Sequence, residues 1–234
     1  MNKNERPFIK SMFDTIAPWY DFLNRFLSLR QDVTWRKKAV KSLKLDQNNP
    51  KILDMACGTC DIGLEVLRQN RTAQITGADF SWEMLRFSKK KIRLKNKENS
   101  FYLVSSNALY SPFKDQKFNA VTIAFGIRNI VNRQKALENF YSCLKSGGRI
   151  AVLELTTPEN QFLKSLYLLY FLKILPFIGG LFSKNYNAYS YLPESVINFP
   201  SSPDFLKIME KAGFKNLEYK NFTFGICTLF TGEK

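Results

Sequence analysis

Short apolar segments alternate with amphipathic ones between residues 52 and 155. The apolar segments end at acidic or small residues, which is typical of strands buried in a parallel sheet. We predict five strands here, at residues 52–56, 75–79, 101–104, 120–125 and 149–155. We predict the helices between them from helical spacing and caps: one after Asp61, one at 81–97 capped by Ser81, and one at 134–144 stopped by Gly147-Gly148. This alternation favours a doubly wound, mostly parallel α/β sheet.

The pattern changes at both ends of the chain and after the fifth strand. A helix at 204–211 and strands at 216–219 and 226–231 would complete a seven-stranded sheet. We interpret residues 1–45 as an N-terminal helical arm, and the whole chain, 1–234, as one domain.

Residues 159–200 are strongly apolar but carry no strand pattern. Two lysines, Pro176 and Gly179-Gly180 make this segment a poor membrane span, because a span needs about 20 predominantly apolar residues with few charges. We therefore predict an inserted helical lid; an additional helix pair that packs on the core is the alternative.

The chain is strongly basic, with a formal net charge of +15, which predicts an anionic partner. Nucleic acid and a membrane surface with acidic lipids both fit. Seven basic residues lie in one run, at 86–97, which as a helix face exposed to water would need no partner. The sequence leaves the oligomeric state open, with a homodimer as one alternative.

Cysteine and histidine usage restricts the chemistry. Four scattered cysteines without a secretory signal suggest a reducing cytosol. Cys57 and Cys60 have C-x-x-C spacing, but the chain has no second such pair and no histidine, so we predict neither a metal site nor a redox site. Without histidine, proton transfer near neutral pH must use other groups.

The turn after the first predicted strand is the main candidate for a ligand site. Asp54 ends the apolar run, small residues follow, and Asp79 ends the next strand. Such a turn lets backbone N–H groups approach a ligand, and the second carboxylate can accept ribose hydroxyls. Two of the three glycines of dinucleotide sites are missing, and Asp61 occupies the space a pyrophosphate needs. The pattern favours S-adenosylmethionine, with Asp54 near its ammonium; a loop that holds only water is the alternative.

The chain resembles the ubiquinone/menaquinone-biosynthesis C-methyltransferase family nearly from end to end. The segments that carry the resemblance are Tyr20-Asp21-Phe22-Leu23-Asn24, Leu27-Ser28, Trp35, Ala56-Cys57-Gly58-Thr59, Asp79-Phe80-Ser81, Asn107-Ala108, Phe125-Gly126-Ile127-Arg128-Asn129, Leu144 to Arg149, Leu153-Glu154 and Tyr189 to Ser195. The resemblance implies a class I, Rossmann-like methyltransferase that uses S-adenosylmethionine to methylate a ring carbon of a prenylated quinol. This chain departs from the family pattern at Asp32, Cys60 and Ala124, where histidine, glycine and serine are usual.

The resemblance also implies residue roles at the cofactor site. Gly58 and Thr59 would lie in the cofactor turn, Asp79 would hold the ribose, and Asn107 with Ala108 would contact adenine. A carboxylate can accept two hydroxyl hydrogens, and an amide beside a backbone donor can bind an adenine edge. For Asn107 the alternative is a loop residue that bonds its own backbone.

For catalysis we predict Arg128 as the partner of the quinol phenolate, because a guanidinium is always charged. Asn129 and Tyr20 would orient the hydroxyl or a relaying water, and the proton would pass to solvent. Alternatively, Arg128 only pairs with a carboxylate, and Tyr20 only packs the arm.

We expect methylation of 2-demethylmenaquinol to menaquinol, with a benzoquinol of the ubiquinone pathway as the alternative. The basic residues and the lid suggest transient contact with an anionic membrane, at the inner face of the cytoplasmic membrane. A nucleic-acid methyltransferase is disfavoured because neither an Asn/Asp-Pro-Pro-Tyr/Phe motif nor a Pro-Cys pair is present. A non-catalytic nucleotide-binding module remains the other alternative.

Overall fold

The computed structural model describes residues 5–169 and 186–234 and centres on one sheet. Its strands are β1 (Lys51–Met55), β2 (Gln74–Asp79), β3 (Phe101–Ser105), β4 (Phe118–Ala124), β5 (Leu144–Leu155), β6 (Lys215–Phe222) and β7 (Cys227–Glu233). The seven strands are ordered β3-β2-β1-β4-β5-β7-β6. β1 to β5 pair in parallel, whereas β7 pairs antiparallel with β5 and β6. The predicted doubly wound, mostly parallel, seven-stranded sheet is confirmed.

Helices cover both faces of this sheet. They are α1 (Glu5–Ile16), α2 (Tyr20–Leu27), α3 (Gln31–Ser42), α4 (Asp61–Gln69), α5 (Trp82–Leu94), α6 (Arg133–Cys143), α7 (Gln161–Leu169), α8 (Tyr186–Ile197) and α9 (Ser202–Lys211). Ser81 caps α5 as predicted, by accepting from Met84 N at 3.1 Å. This helix ends at Leu94, three residues before the predicted end.

Alternate residues of each strand enter two separate cores. Ile52 of β1 packs with α3, α4 and α5, whereas its neighbour Leu53 packs with α6 and α9. Both side chains are fully buried. A parallel sheet with both faces covered needs such continuous apolar strands, so this feature of the sequence directly determines the layered architecture.

A third apolar cluster joins the N-terminal arm to the segment after β5. Met12 and Leu23 of the arm pack with Tyr167 of α7 and Val196 of α8. The centre of the predicted lid, 170–185, lies outside the described residues, so the lid and the division of the domain stay predictions. Within the described ranges, no helix is long and apolar enough to cross a membrane.

The predicted role of Gly147-Gly148 as a helix stop was wrong. α6 ends at Cys143, and Gly147-Gly148 lie inside β5, where the pairing of β4 with β5 shifts register between Phe118 and Ala120. The glycines lie beside the chain end, with Gly147 N donating to Lys234 O at 3.0 Å. The predicted helical arm is divided between α2 and α3, because Leu29 and Arg30 adopt positive φ and end α2.

Candidate active site

The carboxyl ends of β1 to β4 surround a cavity, which we call the first cavity. The strand order reverses between β1 and β4, and open α/β sheets bind ligands at such a switch point. Its wall includes predicted cofactor residues from all four strand ends and further residues beside them: Ala56, Gly58, Asp79, Ser106, Asn107, Ala108, Ala124 and Gly126. The topology thus brings together residues that lie up to 70 positions apart in the sequence.

The turn after β1 is fastened to β2 by backbone hydrogen bonds. Ala56, Gly58 and Cys60 all have positive φ, near 51°, 52° and 63°. Gly58 N donates to Asp79 Oδ2 at 2.8 Å, and Cys57 N donates to Ala78 O at 3.1 Å. This conformation suits glycine better than alanine or cysteine, so the turn stores strain at two positions.

Asp79 lies at the wall of the first cavity and is almost fully buried. Its Oδ1 accepts from Ser81 N at 2.9 Å, in addition to the bond from Gly58. Burial raises its pKa to about 6, although the backbone donors oppose this shift. Each carboxylate oxygen retains a lone pair, so the group can accept two further hydroxyls.

Asp54 and Thr59 were also predicted as cofactor residues, but neither lines the first cavity. Asp54 accepts from Thr122 Oγ1 at 2.9 Å and Gly63 N at 3.3 Å, and burial raises its pKa to about 7. Thr59 donates to Asp21 Oδ1 at 2.5 Å. Both side chains bond to residues that do not line the first cavity, so their contacts with a cofactor stay predictions.

Asn107 and Ala108 line the first cavity just after the end of β3. Asn107 Oδ1 accepts from Leu109 N at 2.9 Å, which is the local backbone bond considered as the alternative, and this leaves its amide hydrogens available. Ser106 was missed by the sequence analysis. Its Oγ is buried and has no hydrogen-bond partner among the described residues, so this hydroxyl is available to a ligand or a water in the cavity.

A second, mainly apolar cavity adjoins the first. Phe13, Tyr20 and Phe125 line both cavities, so the phenol ring of Tyr20 lies at their common wall. The other walls come from the arm and from the segments after β5, including Met12, Ile16, Leu23, Leu27, Leu155, Tyr167, Leu192 and Ile226. Burial raises the pKa of Tyr20, while the charge of Arg36, a hydrogen bond with the Asn24 side chain and the charge of Arg128 oppose this shift.

Arg128 and Asn129 follow β4 in a short 3₁₀ turn, Ile127–Asn129. Arg128 lines the second cavity, and Asn129 lines the first. Arg128 Nη1 pairs with Glu154 Oε1 at 2.6 Å and also donates to Phe125 O. Tyr191 Oη donates to Asn129 Oδ1 at 3.0 Å.

Glu154, whose carboxylate forms this ion pair, is a residue to which the sequence analysis gave no role. It is fully buried, and although burial alone lowers the pKa of Arg128, Glu154 raises it. The alternative in which Arg128 pairs with a carboxylate is thus present in the structure. Arg128 nevertheless lines the second cavity while it is paired with Glu154.

Asp32 lies at the wall of the second cavity and is engaged by arginines. It pairs with Arg25 and Arg36, and it accepts from Ser28 Oγ at 3.0 Å. Arg36 also lies over the ring of Phe125, 5.2 Å from its centroid. The carboxylate therefore joins α2 to α3 within the arm, and the two arginines carry the contact to the body by pairing with Asp61.

The residues present fit S-adenosylmethionine. Asp79 offers acceptors for ribose hydroxyls, while Asn107 and the Ser106 hydroxyl offer polar contacts at the end of the neighbouring strand β3. The backbone also approaches closely, because a Cβ at Gly126 would lie 2.8 Å from Ala56 Cβ. All four cysteines are free and buried.

Comparisons with known proteins agree with this geometry. A profile of the ubiE/COQ5 methyltransferase family matches residues 1–234. The chain is 48% identical over 227 residues to "Ubiquinone/menaquinone biosynthesis C-methyltransferase UbiE" of Geotalea daltonii, covering 97% of this chain and 96% of that one. It is 43% identical to "Demethylmenaquinone methyltransferase" of Thermus thermophilus, covering 95% and 100%. A SAM-dependent methyltransferase structure from Thermotoga maritima has a TM-score of 0.64 at 19% identity, covering 96% and 99%, and shares the fold.

Proposed function

The chain belongs to the ubiE/COQ5 methyltransferase family, and we propose that it transfers a methyl group from S-adenosylmethionine to a ring carbon of a prenylated quinol. The preferred substrate is 2-demethylmenaquinol, in line with the name of the Thermus relative. The observation that carries this proposal is the pair of adjoining cavities, one with polar groups at the switch point and one apolar, with Tyr20 at their common wall.

The first cavity holds the cofactor. Asp79 accepts the ribose hydroxyls, Asn107 and the backbone of Ala108 bind adenine, and Gly58 keeps the turn open beside them. Asp54 and Thr59 maintain the turn, with Asp54 directed toward the amino-acid end. When bound, the cofactor supplies an electrophilic methyl group on a sulfonium.

The second cavity holds the quinol so that its ring meets the wall formed by Tyr20 and Phe125. A quinol hydroxyl must lose its proton, because phenolate charge then reaches the neighbouring ring carbon and makes it nucleophilic. Arg128 stabilises that anion with its positive charge. Because Glu154 neutralises part of this charge, Arg128 acts mainly by orientation and by hydrogen bonding in a buried site.

Proton removal uses polar groups of the same wall. Tyr20 and Asn129 orient the quinol hydroxyl or a relaying water, and Tyr191 holds Asn129 in position. The proton passes to solvent, since the chain contains no histidine. The proton on the methylated ring carbon leaves afterwards by the same route, which restores the aromatic ring.

The apolar walls of the second cavity suit a polyprenyl tail. Such a substrate resides in a membrane, and six of the seven basic residues at 86–97 are exposed on and after α5. Each basic residue near an anionic surface contributes about 1 kcal/mol. The proposal therefore includes peripheral attachment at the inner face of the cytoplasmic membrane, without a membrane span.

The direct test is methyl transfer from labelled cofactor to demethylmenaquinol, with a demethylated benzoquinol and RNA as parallel substrates. We expect label in menaquinol. Label in the benzoquinol alone would support the ubiquinone pathway instead. Label in RNA, or cofactor binding without any transfer, would refute the proposed activity.

The membrane part has its own test, because it can fail independently. We expect sedimentation with anionic liposomes at low salt, and loss of sedimentation when Lys89, Lys90 and Lys95 are changed to glutamine. A variant with Lys207, Lys211 and Lys215 changed to glutamine removes the same charge elsewhere and serves as the control. Equal sedimentation of both variants would contradict attachment through the 86–97 run.

A further inference from the structure

Lys91 is the one residue of the basic run at 86–97 that is directed into the protein. Its side chain is 21% exposed, whereas the other six basic residues of the run are exposed to water. Lys91 Nζ donates to Asp21 Oδ2 at 2.6 Å, to Asp61 Oδ1 at 2.5 Å and to Thr59 Oγ1 at 3.3 Å. One ammonium group of α5 therefore contacts both the arm and the turn after β1, where α4 begins.

The groups that Lys91 contacts are direct neighbours of residues in the candidate site. Asp21 follows Tyr20 in α2, and Thr59 follows Gly58 in the turn after β1. Thr59 Oγ1 donates to Asp21 Oδ1 at 2.5 Å, and a Cβ at Gly58 would lie 3.6 Å from Tyr20 Cε1. The contacts of Asp21 therefore fix the Tyr20 ring against the turn, at the wall that the two cavities share.

The charges around Lys91 make its ammonium necessary for this arrangement. Burial alone would raise the pKa of Asp61, but the charges of Arg36, Lys91 and Arg25 hold it below its usual range. Asp61 is therefore a carboxylate, and Lys91 joins it to the carboxylate of Asp21. Without Lys91 the two like charges would repel each other and weaken the contact between α2 and the turn.

We propose that Lys91 is a positioning residue for methyl transfer: by bridging Asp21 and Asp61 it holds the arm on the turn after β1, with Tyr20 between the two cavities. In the wild type the arm is docked before either ligand binds. Without Lys91 the arm is docked in only a fraction of the molecules, and the apparent dissociation constant of each ligand rises in inverse proportion to that fraction. The reaction in this inference rests on the proposed function, whereas the docking of the arm does not.

The first test measures binding of S-adenosylhomocysteine, which remains when the cofactor has lost its methyl group, to full-length wild type and Lys91→Met by calorimetry. Methionine keeps the apolar stem of lysine but not its charge. The apolar packing of Met12 and Leu23 and the 2.5 Å hydrogen bond from Ser81 Oγ to Asp14 remain, so we expect the variant to fold. The arm lines the first cavity, so we expect a dissociation constant at least tenfold higher than that of the wild type.

The second test adds the quinol, as a short-chain demethylmenaquinol without vesicles, so that membrane attachment plays no part. Each ligand that binds the docked arm favours that state, so saturation with both ligands should restore it. We expect KM for the quinol to rise at least tenfold, while kcat stays within threefold of the wild-type value. With saturating quinol, the dissociation constant for S-adenosylhomocysteine should likewise return to within threefold of the wild-type value.

Two further variants control for the loss of a charge and for the route of the effect. Lys207→Met removes a lysine that also pairs with an aspartate, Asp204 at 2.9 Å, but lines neither cavity, so we expect wild-type constants. Asp21→Asn removes the other partner of the bridge and should also weaken binding of S-adenosylhomocysteine. The double variant should lose less than the product of the two single losses, because both changes remove the same contact.

The outcomes separate this inference from the proposed function. A dissociation constant for S-adenosylhomocysteine within twofold of wild type in Lys91→Met would overturn the role of Lys91. A loss that is the same with and without quinol, or a fall in kcat with an unchanged KM, would also overturn it. If the wild type binds S-adenosylhomocysteine but methylates no quinol, the proposed function fails, and the calorimetry still decides whether Lys91 holds the arm.

Discussion

Replacing Glu154 by glutamine should strongly destabilise the protein, because the Arg128 charge would then be buried without compensation. The Glu154 carboxylate is fully buried. Its Oε1 accepts from Arg128 Nη1 at 2.6 Å and Leu155 N at 2.8 Å, and its Oε2 accepts from Arg128 N at 3.1 Å. Glutamine keeps the shape but replaces one of these two acceptor oxygens with a donor.

The magnitude follows from the two groups left unsatisfied. The glutamine amide can be placed in two ways. In the more favourable one, its oxygen accepts the hydrogen bonds that Oε1 accepts in the wild type, and its NH₂ group faces Arg128 N. The buried backbone N–H of Arg128 then has no acceptor, which costs about 1–3 kcal/mol. Removing one partner of a buried ion pair costs about 3–5 kcal/mol in total. At about 2–4 °C per kcal/mol for a chain of this size, the melting temperature should fall by about 6–20 °C.

Urea unfolding of the wild type and Glu154→Gln provides the assay. The midpoint should fall while the slope stays constant, since the surface exposed on unfolding is unchanged. Glu65→Gln is the matched control, because Glu65 also pairs with an arginine, Arg68, but that arginine is 56% exposed. We expect less than about 1 kcal/mol for this surface pair. A Glu154→Gln loss as small as that of the control would refute the reasoning.

Four further predictions address the site. Because burial raises the pKa of Asp79 to about 6, affinity for S-adenosylmethionine should fall about tenfold per pH unit below that value. Calorimetry from pH 5 to 8 should show this decrease for the wild type. The same titration of Asp79→Asn should show an affinity that does not change with pH. Asp54, with a pKa raised by burial from 3.8 to about 7, keeps its proton longer in the native than in the unfolded state, so the free energy of unfolding should decrease as pH rises from about 4 to 7. Urea titrations of Asp54→Asn should show a smaller decrease, and an equal one would contradict the assignment. Tyr20→Phe should lower kcat for methyl transfer by about 10² or more with an unchanged cofactor dissociation constant, and a wild-type kcat would leave Tyr20 only a packing role. Cys60→Gly removes the strain of a positive φ, about 1–2 kcal/mol, but it also removes a buried side chain that stabilises the fold by a similar amount. The free energy of unfolding should therefore stay within about 1 kcal/mol of wild type. A loss above about 2 kcal/mol would contradict this balance.

The strands of the sheet could be predicted because each one is marked by a sequence pattern within a few residues. Each buried strand combines a short apolar run with a turn residue, and the carboxyl ends of parallel strands necessarily meet at one edge. Asp79 was placed at this edge from the strand pattern, and the family resemblance added Gly58 and Asn107. The structure brings all three to the wall of the first cavity.

The errors occurred where local signals do not determine the backbone. Gly147 and Gly148 have the composition of a helix stop, but their place in β5 depends on pairing with β4 and with the end of the chain. The break between α2 and α3, on which the sequence analysis made no prediction, occurs at Leu29 and Arg30, two residue types that rarely adopt positive φ. Only the tertiary contacts of the arm favour that conformation.

The unassigned site residues share a dependence on distant partners. Glu154 meets Arg128 across 26 residues of sequence, and nothing in either segment specifies the pairing. Ser106 became a candidate through the lack of a partner for its buried hydroxyl oxygen among the described residues, a property that exists only in three dimensions. Sequence patterns therefore predict where a site forms better than which groups remain available in it.

Tyr20 lies at the boundary of both cavities, but it belongs to the arm and not to the sheet. The sheet and its two cores lie almost wholly downstream of residue 30, whereas the wall between the cavities comes partly from the arm. A shortened chain that begins at α3 would retain the layered framework but lose this partition. Because Ile9, Phe13 and Tyr20 of the arm also line the first cavity, removal of the arm would open both cavities at once.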